Sequence, residues 1–164
     1  MLGLGLWYVG FVLFIIALWM LGKMSNKAVI PMALFVAALQ LGGVFKVIFT
    51  GIEPGEFFGA ALTCLFAFTY LYVAATQIWN LDVRGLGWYC LPVAIIAVPA
   101  GLMSLATPLL ALLWFMWASL WFMFFLLLAL GKNIGNLTAW WTLINAIWVL
   151  VGAFTTLTGL WLWW

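Results

Sequence analysis

An aromatic stripe in the second half of the chain is the first pattern that could do chemistry. Its members lie four, three and four residues apart, on one face of a helix: Leu110, Trp114, Trp117 and Trp121. Trp117 and Trp121 fall about two to three helical turns from either end of their apolar run, deeper than the aromatic belts at membrane interfaces. Indoles at this depth could wall a narrow slot for a planar, uncharged solute. They could equally face lipid or fill the core of a bundle.

Three further patterns involve residues that could contact a solute or pack helices. A second stripe, earlier in the chain, has spacings of three, four and seven residues: Thr63, Phe66, Tyr70 and Gln77. Tyr70 falls near mid-span, where its hydroxyl could contact a solute or bond to a neighbouring backbone carbonyl. Gly3, Gly10 and Ala17 lie seven apart, a spacing typical of close helix packing. The amide of Asn145 could bridge helices or offer a donor and an acceptor to a solute.

Charge is nearly absent from the sequence. Only 5% of the 164 residues are charged and none is histidine, whereas a soluble domain carries about 25% charged residues. An ordinary soluble enzyme and a nucleic-acid binder are therefore excluded. Because no carboxylate or histidine lies well inside an apolar run, we predict no ion-coupled carrier, no catalytic residue, no metal site and no cofactor. A passive path for a neutral solute, or a structural subunit, remains.

Apolar runs must position these stripes. The chain is 70% hydrophobic, and a transmembrane helix needs roughly 20 residues, so about six crossings fit. Charged residues separate most runs, and the segment from Ser104 to Pro108 divides the longest one. We predict an all-α membrane protein, a six-transmembrane-helix bundle forming one domain over 1–164, with Glu53 and Glu56 in a loop. Its helices are expected at about 2–22, 28–46, 57–79, 86–105, 109–130 and 137–163.

The positive charges predict the orientation of the bundle. The loops after the second and fourth helices contain Lys46 as their one basic residue. The loops after the first, third and fifth helices contain four: Lys23, Lys27, Arg84 and Lys132. Because the more positive loops stay in the cytoplasm, we expect both termini outside.

At these residues the sequence resembles the AmiS/UreI family of bacterial urea and short-chain amide channels. The resemblance covers nearly the whole chain and is strongest over residues 66–72, Phe-Ala-Phe-Thr-Tyr-Leu-Tyr, together with the tryptophan spacing of the first stripe. It implies a homohexameric ring in the bacterial inner (plasma) membrane, with a channel inside each protomer. It also implies the channel-lining residues: Leu2, Leu6, Val9, Leu13, Phe66, Tyr70, Trp114, Trp117, Leu120 and Trp121.

Two departures from the family pattern bear on function. Acid-gated members have longer outer loops with histidines, whereas here the outer loops are short and histidine is absent. Relatives carry a carboxylate in the sixth helix where this chain has Asn145. We therefore predict a passive channel for urea or small aliphatic amides without acid gating, lined by the residues above and by Asn145, with membrane lipid and further copies of itself as partners. The alternative is an accessory membrane subunit that binds a partner helix through its tryptophan stripe.

Overall fold

The structure, a computed structural model, describes residues 2–160, apart from the side chain of Leu2. Over these residues it contains six long helices: α1 (Leu2–Met20), α2 (Ile30–Thr50), α3 (Pro54–Trp79), α4 (Arg84–Met103), α5 (Pro108–Phe124) and α6 (Gly135–Thr158). A 3₁₀ turn, Asn26–Val29, leads into α2. Each helix, alone or with its adjoining turn, is long and apolar enough to cross a membrane. The predicted all-α, six-helix class is therefore confirmed.

The start of α3 differs from the sequence prediction. The helix begins at Pro54, so Glu56 lies in its first turn and not in a loop. Proline suits this position, where a backbone N–H would have no intrahelical partner. Glu56 Oε2 accepts hydrogen bonds from the backbone N–H groups of Ile52 and Glu53 at 2.9 and 3.1 Å. The charge therefore caps the helix and does not interrupt it.

Two helix ends also fall elsewhere than expected. α2 continues past Lys46 to Thr50, because a lysine stem can lie along apolar surface while its ammonium group reaches water. α6 ends at Thr158, before Gly159 with a φ of 68°, a left-handed conformation that commonly terminates helices at glycine. The predicted sixth helix ran to residue 163, of which 161–163 lie outside the described part of the chain.

The end of α5 is not α-helical. Its continuation, Phe125–Ala129, is a π-helical turn, a form that occurs mostly as single turns and often near functional sites. This turn packs against α4 at Gly87, where an added Cβ would lie 2.9 Å from the Cβ of Ala129. Glycine therefore permits the close approach of the two backbones.

The helices pack as three tight pairs: α1 with α6, α2 with α3, and α4 with α5. Gly3 and Gly10 of α1 face α6, in agreement with their spacing. A Cβ on Gly10 would lie 2.6 Å from the side chain of Leu150, and one on Gly3 would lie 2.9 Å from Leu157. Such close contact drives helix association in lipid, where the hydrophobic effect between helices is lost.

Large apolar side chains cover the outside of the bundle. Phe35, Phe49 and Ile52 are examples that stand exposed. A soluble monomer rarely shows extensive apolar surface of this kind, whereas lipid or a neighbouring protomer accommodates it. The interior between the helix pairs holds the buried aromatic residues of α3 and α5: Phe66, Tyr70, Trp114, Trp117 and Trp121.

Candidate functional site

An aromatic cluster at the centre of the bundle joins the two sequence stripes. The ring centroid of Phe66 on α3 lies 4.7 Å from the rings of Trp117 and Trp121 on α5, and 5.8 Å from Trp114. Trp114 and Trp117 meet edge to face at 5.1 Å, with an interplanar angle of 90°. These separations and tilts are those of favourable aromatic pairs. Phe66 on α3 therefore packs against all three indoles of α5.

The tryptophans of α5 face inward. Trp114, Trp117 and Trp121 are 6%, 3% and 5% exposed. The backbones of α3 and α5 stand apart, and aromatic side chains fill the interval between them. The structure therefore excludes lipid contact for these three indoles.

A wide cavity of about 590 Å³ opens on one side of the aromatic cluster. It lies toward the end of the bundle that carries the α2–α3 and α4–α5 connections, and Glu56 stands at its edge. Its walls are largely apolar and come mainly from α1, α2 and α3, with a few residues from α4 and α5. They include Leu6, Val9, Gln40, Thr63, Leu110 and Trp114.

A narrow cavity of about 180 Å³ opens on the other side of the cluster, toward the α1–α2 and α3–α4 connections. Its walls include Leu13, Tyr70, Gln77, Cys90, Leu120 and Trp121. Tyr70 is buried, and no hydrogen bond found among the described residues involves its hydroxyl. That hydroxyl is therefore free to contact a molecule in the narrow cavity.

Phe66 and Trp117 line both cavities. The aromatic cluster is therefore the partition between them. The Nε1–H group of Trp117 is buried and has no hydrogen-bond partner among the described residues. A buried donor left unpaired costs about 1–3 kcal/mol. A carbonyl oxygen that entered the partition would remove this cost.

The predicted lining residues are brought together with two exceptions. The wide cavity takes Leu6, Val9 and Trp114, the narrow cavity takes Leu13, Tyr70, Leu120 and Trp121, and the partition is formed by Phe66 and Trp117. The side chain of Leu2 lies outside the described part of the chain. Asn145 is fully buried but lines neither cavity. Its Nδ2 group donates to the carbonyl of Trp141 at 2.8 Å, while its Oδ1 atom has no partner in the described residues.

Gln40 is a cavity residue that sequence reasoning missed. It lies on the buried stripe of α2, at helical spacing from Val36, Ala37 and Val44. That spacing was the available signal. It was inconspicuous because α2 is apolar on every face, so periodicity does not single out the inward side.

Formal charge is absent from the partition and lies toward the ends of the bundle. Asp82 and Arg84, in the α3–α4 connection and at the start of α4, form an exposed ion pair at 2.6 Å. Hydrogen bonds from Arg84 hold the pKa of the Asp82 carboxyl below its usual range. Within the described residues no group of three or more His, Cys, Asp or Glu could hold a metal ion. A bare ion at the partition would therefore lose its hydration without gaining a counter-charge.

Comparison with known proteins identifies the family. A profile of AmiS/UreI family transporters matches residues 1–160. The chain belongs to the AmiS/UreI family. Because this family consists of transporters, the prediction that the chain is not an enzyme is confirmed.

Three curated relatives illustrate the family. The AmiS/UreI chain is 40% identical over 97 residues to the putative amidate substrates transporter protein of Mycolicibacterium smegmatis, across 58% of this chain and 46% of the relative. It is 35% identical over 161 residues to the putative transporter protein AmiS2 of Rhodococcus erythropolis, across 94% and 78%. It is 36% identical over 118 residues to the acid-activated urea channel of Helicobacter pylori strain J99, across 61% and 60%. The matched part is thus about half the length of the first relative.

Two solved structures share the fold of the AmiS/UreI chain. The cryoEM structure of the Helicobacter pylori urea channel in its closed state superposes with a TM-score of 0.89 at 31% identity, covering 99% of this chain and 100% of that one. The crystal structure of the Helicobacter pylori urea channel gives a TM-score of 0.88 at 32% identity with the same coverage. This chain therefore shares its six-helix architecture with the whole length of the chain in both Helicobacter pylori structures.

Proposed function

We propose that this AmiS/UreI chain is a passive channel for urea or small aliphatic amides. The observation that carries the proposal is the pair of cavities that approach from opposite ends of the bundle and meet at Phe66 and Trp117. Their walls are the proposed pore lining, to which Leu2 is added as predicted from the sequence. Asn145, which lines neither cavity, we assign to packing behind the pore.

The chemistry of the partition favours a small, planar, neutral solute. Flat aromatic faces admit a planar group at close contact, and Trp117 Nε1 can donate to its carbonyl oxygen. An ion meets a large desolvation penalty on the same path. Selectivity then arises from the shape of the slot and from the free energy of desolvation.

The proposed assembly is a homohexameric ring of multi-pass protomers in the bacterial inner membrane, each with its own pore and one channel domain over 1–164. The distribution of basic residues supports an orientation with both termini outside. In that orientation the wide cavity opens outward and the narrow cavity opens toward the cytoplasm. The superposition on solved urea channels supports a pore inside each protomer.

We propose further that the pore is not acid-gated. Histidine is the side chain whose ordinary pKa lies between about 5 and 8, and the sequence contains none. The Helicobacter pylori relative is named an acid-activated urea channel. We do not extend acid activation to this chain.

The alternative function is an accessory subunit that binds a partner helix through the tryptophan stripe. The burial of this stripe argues against it. The three indoles are buried against Phe66 within the same chain. A partner helix would have to displace α3 to reach them.

Solute uptake by reconstituted protein tests the proposal. Proteoliposomes should admit urea or acetamide faster than protein-free liposomes in a stopped-flow light-scattering assay, without a membrane potential or an ion gradient. The expected rate is unchanged by a protonophore, because no carboxylate or histidine lies at the partition to couple a proton. Flux that requires a proton or sodium gradient would contradict the passive mechanism, and absence of flux would favour the accessory-subunit alternative.

A further inference from the structure

Gln40 places a polar side chain in the largely apolar wall of the wide cavity. The residue is 7% exposed, and its Oε1 atom is buried without a hydrogen-bond partner among the described residues. A buried acceptor left unpaired is unfavourable. The observation points to a hydrogen-bond donor that arrives with a solute.

Gln40 and Trp117 lie at similar depth in the bundle. Gln40 is ten residues from the start of α2 at Ile30, and Trp117 is nine residues from the start of α5 at Pro108. At about 1.5 Å per residue, each lies roughly 14–15 Å from the end at which its helix begins. Because the hydrocarbon core is roughly 30 Å thick, both lie near its middle. They also line the same cavity.

The two residues offer complementary unpaired groups. Gln40 presents an acceptor, Oε1, and Trp117 presents a donor, the Nε1–H group. A urea or primary amide molecule carries both an N–H donor and a carbonyl acceptor. It can therefore pair with Gln40 in the wide cavity and with Trp117 as it enters the partition.

We propose that Gln40 is a specificity-determining residue that accepts a hydrogen bond from the N–H group of an amide or urea solute. This inference rests on the proposed channel function. A solute without N–H, such as a tertiary amide, can accept a bond from Gln40 Nε2 but leaves Oε1 unpaired. Gln40 thus selects for N–H groups, whereas the partition selects for size and planarity.

Three isomeric amides separate the two kinds of selection. Propionamide, N-methylacetamide and N,N-dimethylformamide have the same atoms but carry two, one and no N–H groups. Their permeabilities are measured by stopped-flow light scattering in proteoliposomes, with the rates of protein-free liposomes subtracted. Wild-type protein should favour propionamide over N,N-dimethylformamide. Gln40→Met keeps the length and unbranched shape of the side chain, and should lower that ratio by about 2- to 10-fold, the change that corresponds to one lost hydrogen bond.

A control variant on the same helix is Leu34→Met, since Leu34 lies on the outward face of α2. It should keep the wild-type ratio. If wild-type protein admits urea but Gln40→Met retains the wild-type ratio, the role of Gln40 is refuted while the channel stands. If wild-type protein admits neither urea nor any of the three amides, both proposals are refuted. Should Gln40→Met fail to assemble, the wild-type ratio decides, because equal permeation of the three isomers would overturn the inference.

Discussion

Replacing Trp117 with alanine should remove the partition between the two cavities. Trp117 is 3% exposed and packs against Phe66 at 4.7 Å and Trp114 at 5.1 Å. Surrounding side chains collapse only partly into the space left by a large residue. The wide and narrow cavities should therefore join through a broader opening, and the channel should admit larger solutes.

The stability of the Trp117→Ala protein should fall but not vanish. A buried Trp→Ala change costs about 3–5 kcal/mol. The two aromatic contacts of Trp117 account for about 1–3 kcal/mol of this loss, at about 0.5–1.5 kcal/mol for each pair. Because native proteins are stable by about 5–15 kcal/mol, assembled variant should remain measurable.

The effect of Trp117→Ala on selectivity follows from how closely the partition fits the solute. A site that fits its solute closely discriminates one methylene group by about 10- to 200-fold. Wild-type protein should therefore admit acetamide much faster than butyramide, and Trp117→Ala should reduce that ratio by about tenfold or more. Trp117→Phe should have a milder effect, since it keeps a flat wall and loses the N–H donor.

The assay is uptake of a size series of amides into proteoliposomes, normalised to correctly assembled oligomer. Trp140→Ala is the matched control, because Trp140 is an exposed indole at the start of α6 that lines neither cavity. It should retain the wild-type ratio of acetamide to butyramide. If Trp117→Ala also retains that ratio, the slot at Phe66 and Trp117 does not set selectivity and the reasoning fails.

Helix packing, titration and buried polar groups each give a further expected outcome. Gly10→Ala should destabilise the protein by about 1–3 kcal/mol, because its Cβ would lie 2.6 Å from Leu150, whereas Gly42→Ala has open space; thermal unfolding in detergent compares them. Urea flux, measured by stopped flow, should vary by less than about twofold between about pH 5 and 7.5, since histidine is absent. Asn145→Leu should leave urea flux unchanged and keep or raise the unfolding temperature, because it removes a buried oxygen without a partner.

Asp82 does not change its charge within the tested pH range. Hydrogen bonds from Arg84 depress the pKa of its carboxyl. The stabilisation from this pair is therefore fully present above the ordinary aspartate pKa of about 3.9 and is lost only as the pH falls through the lower pKa of the folded protein. Both pKa values lie below the tested window, so this carboxyl stays ionised throughout. A steep rise of flux on acidification within this window would contradict the prediction.

Specific results would contradict the predictions for Gly10→Ala and Asn145→Leu. Equal unfolding temperatures for Gly10→Ala and Gly42→Ala would show that α1 and α6 have room to separate. A large loss of urea flux in assembled Asn145→Leu protein would place the amide in the pore and contradict its assignment to packing.

The number of helices could be predicted from the sequence because a charged side chain in the bilayer core is energetically costly. Each charged cluster therefore ended an apolar run, and the polar segment before Pro108 divided the longest one. The start of α3 was not readable in this way, since Glu56 closes the first turn through backbone hydrogen bonds. The π-helical turn at Phe125–Ala129 was equally hidden, because a run of phenylalanine, leucine and alanine is compatible with either helix.

The candidate site was predictable where large side chains mark one face of a helix. The spacings of Phe66, Tyr70 and the α5 tryptophans indicated residues that the structure gathers around two cavities. Their role in lining a pore remains a prediction. Gln40 was not predicted, because its inward direction depends on how α2 packs against α3 and not on any contrast along α2 itself.

α4 contacts both helices that form the partition, and it also lines the cavities through Cys90, Ala100 and Met103. The Tyr89 hydroxyl on α4 donates to the backbone carbonyl of Leu65 at 3.0 Å, next to Phe66. The same helix packs tightly along α5. α5 is also bonded to α6, since Trp141 Nε1 donates to Ser119 Oγ at 2.9 Å. In the proposed channel, these contacts of α4 fix the separation between Phe66 and Trp117, on which selection by size depends.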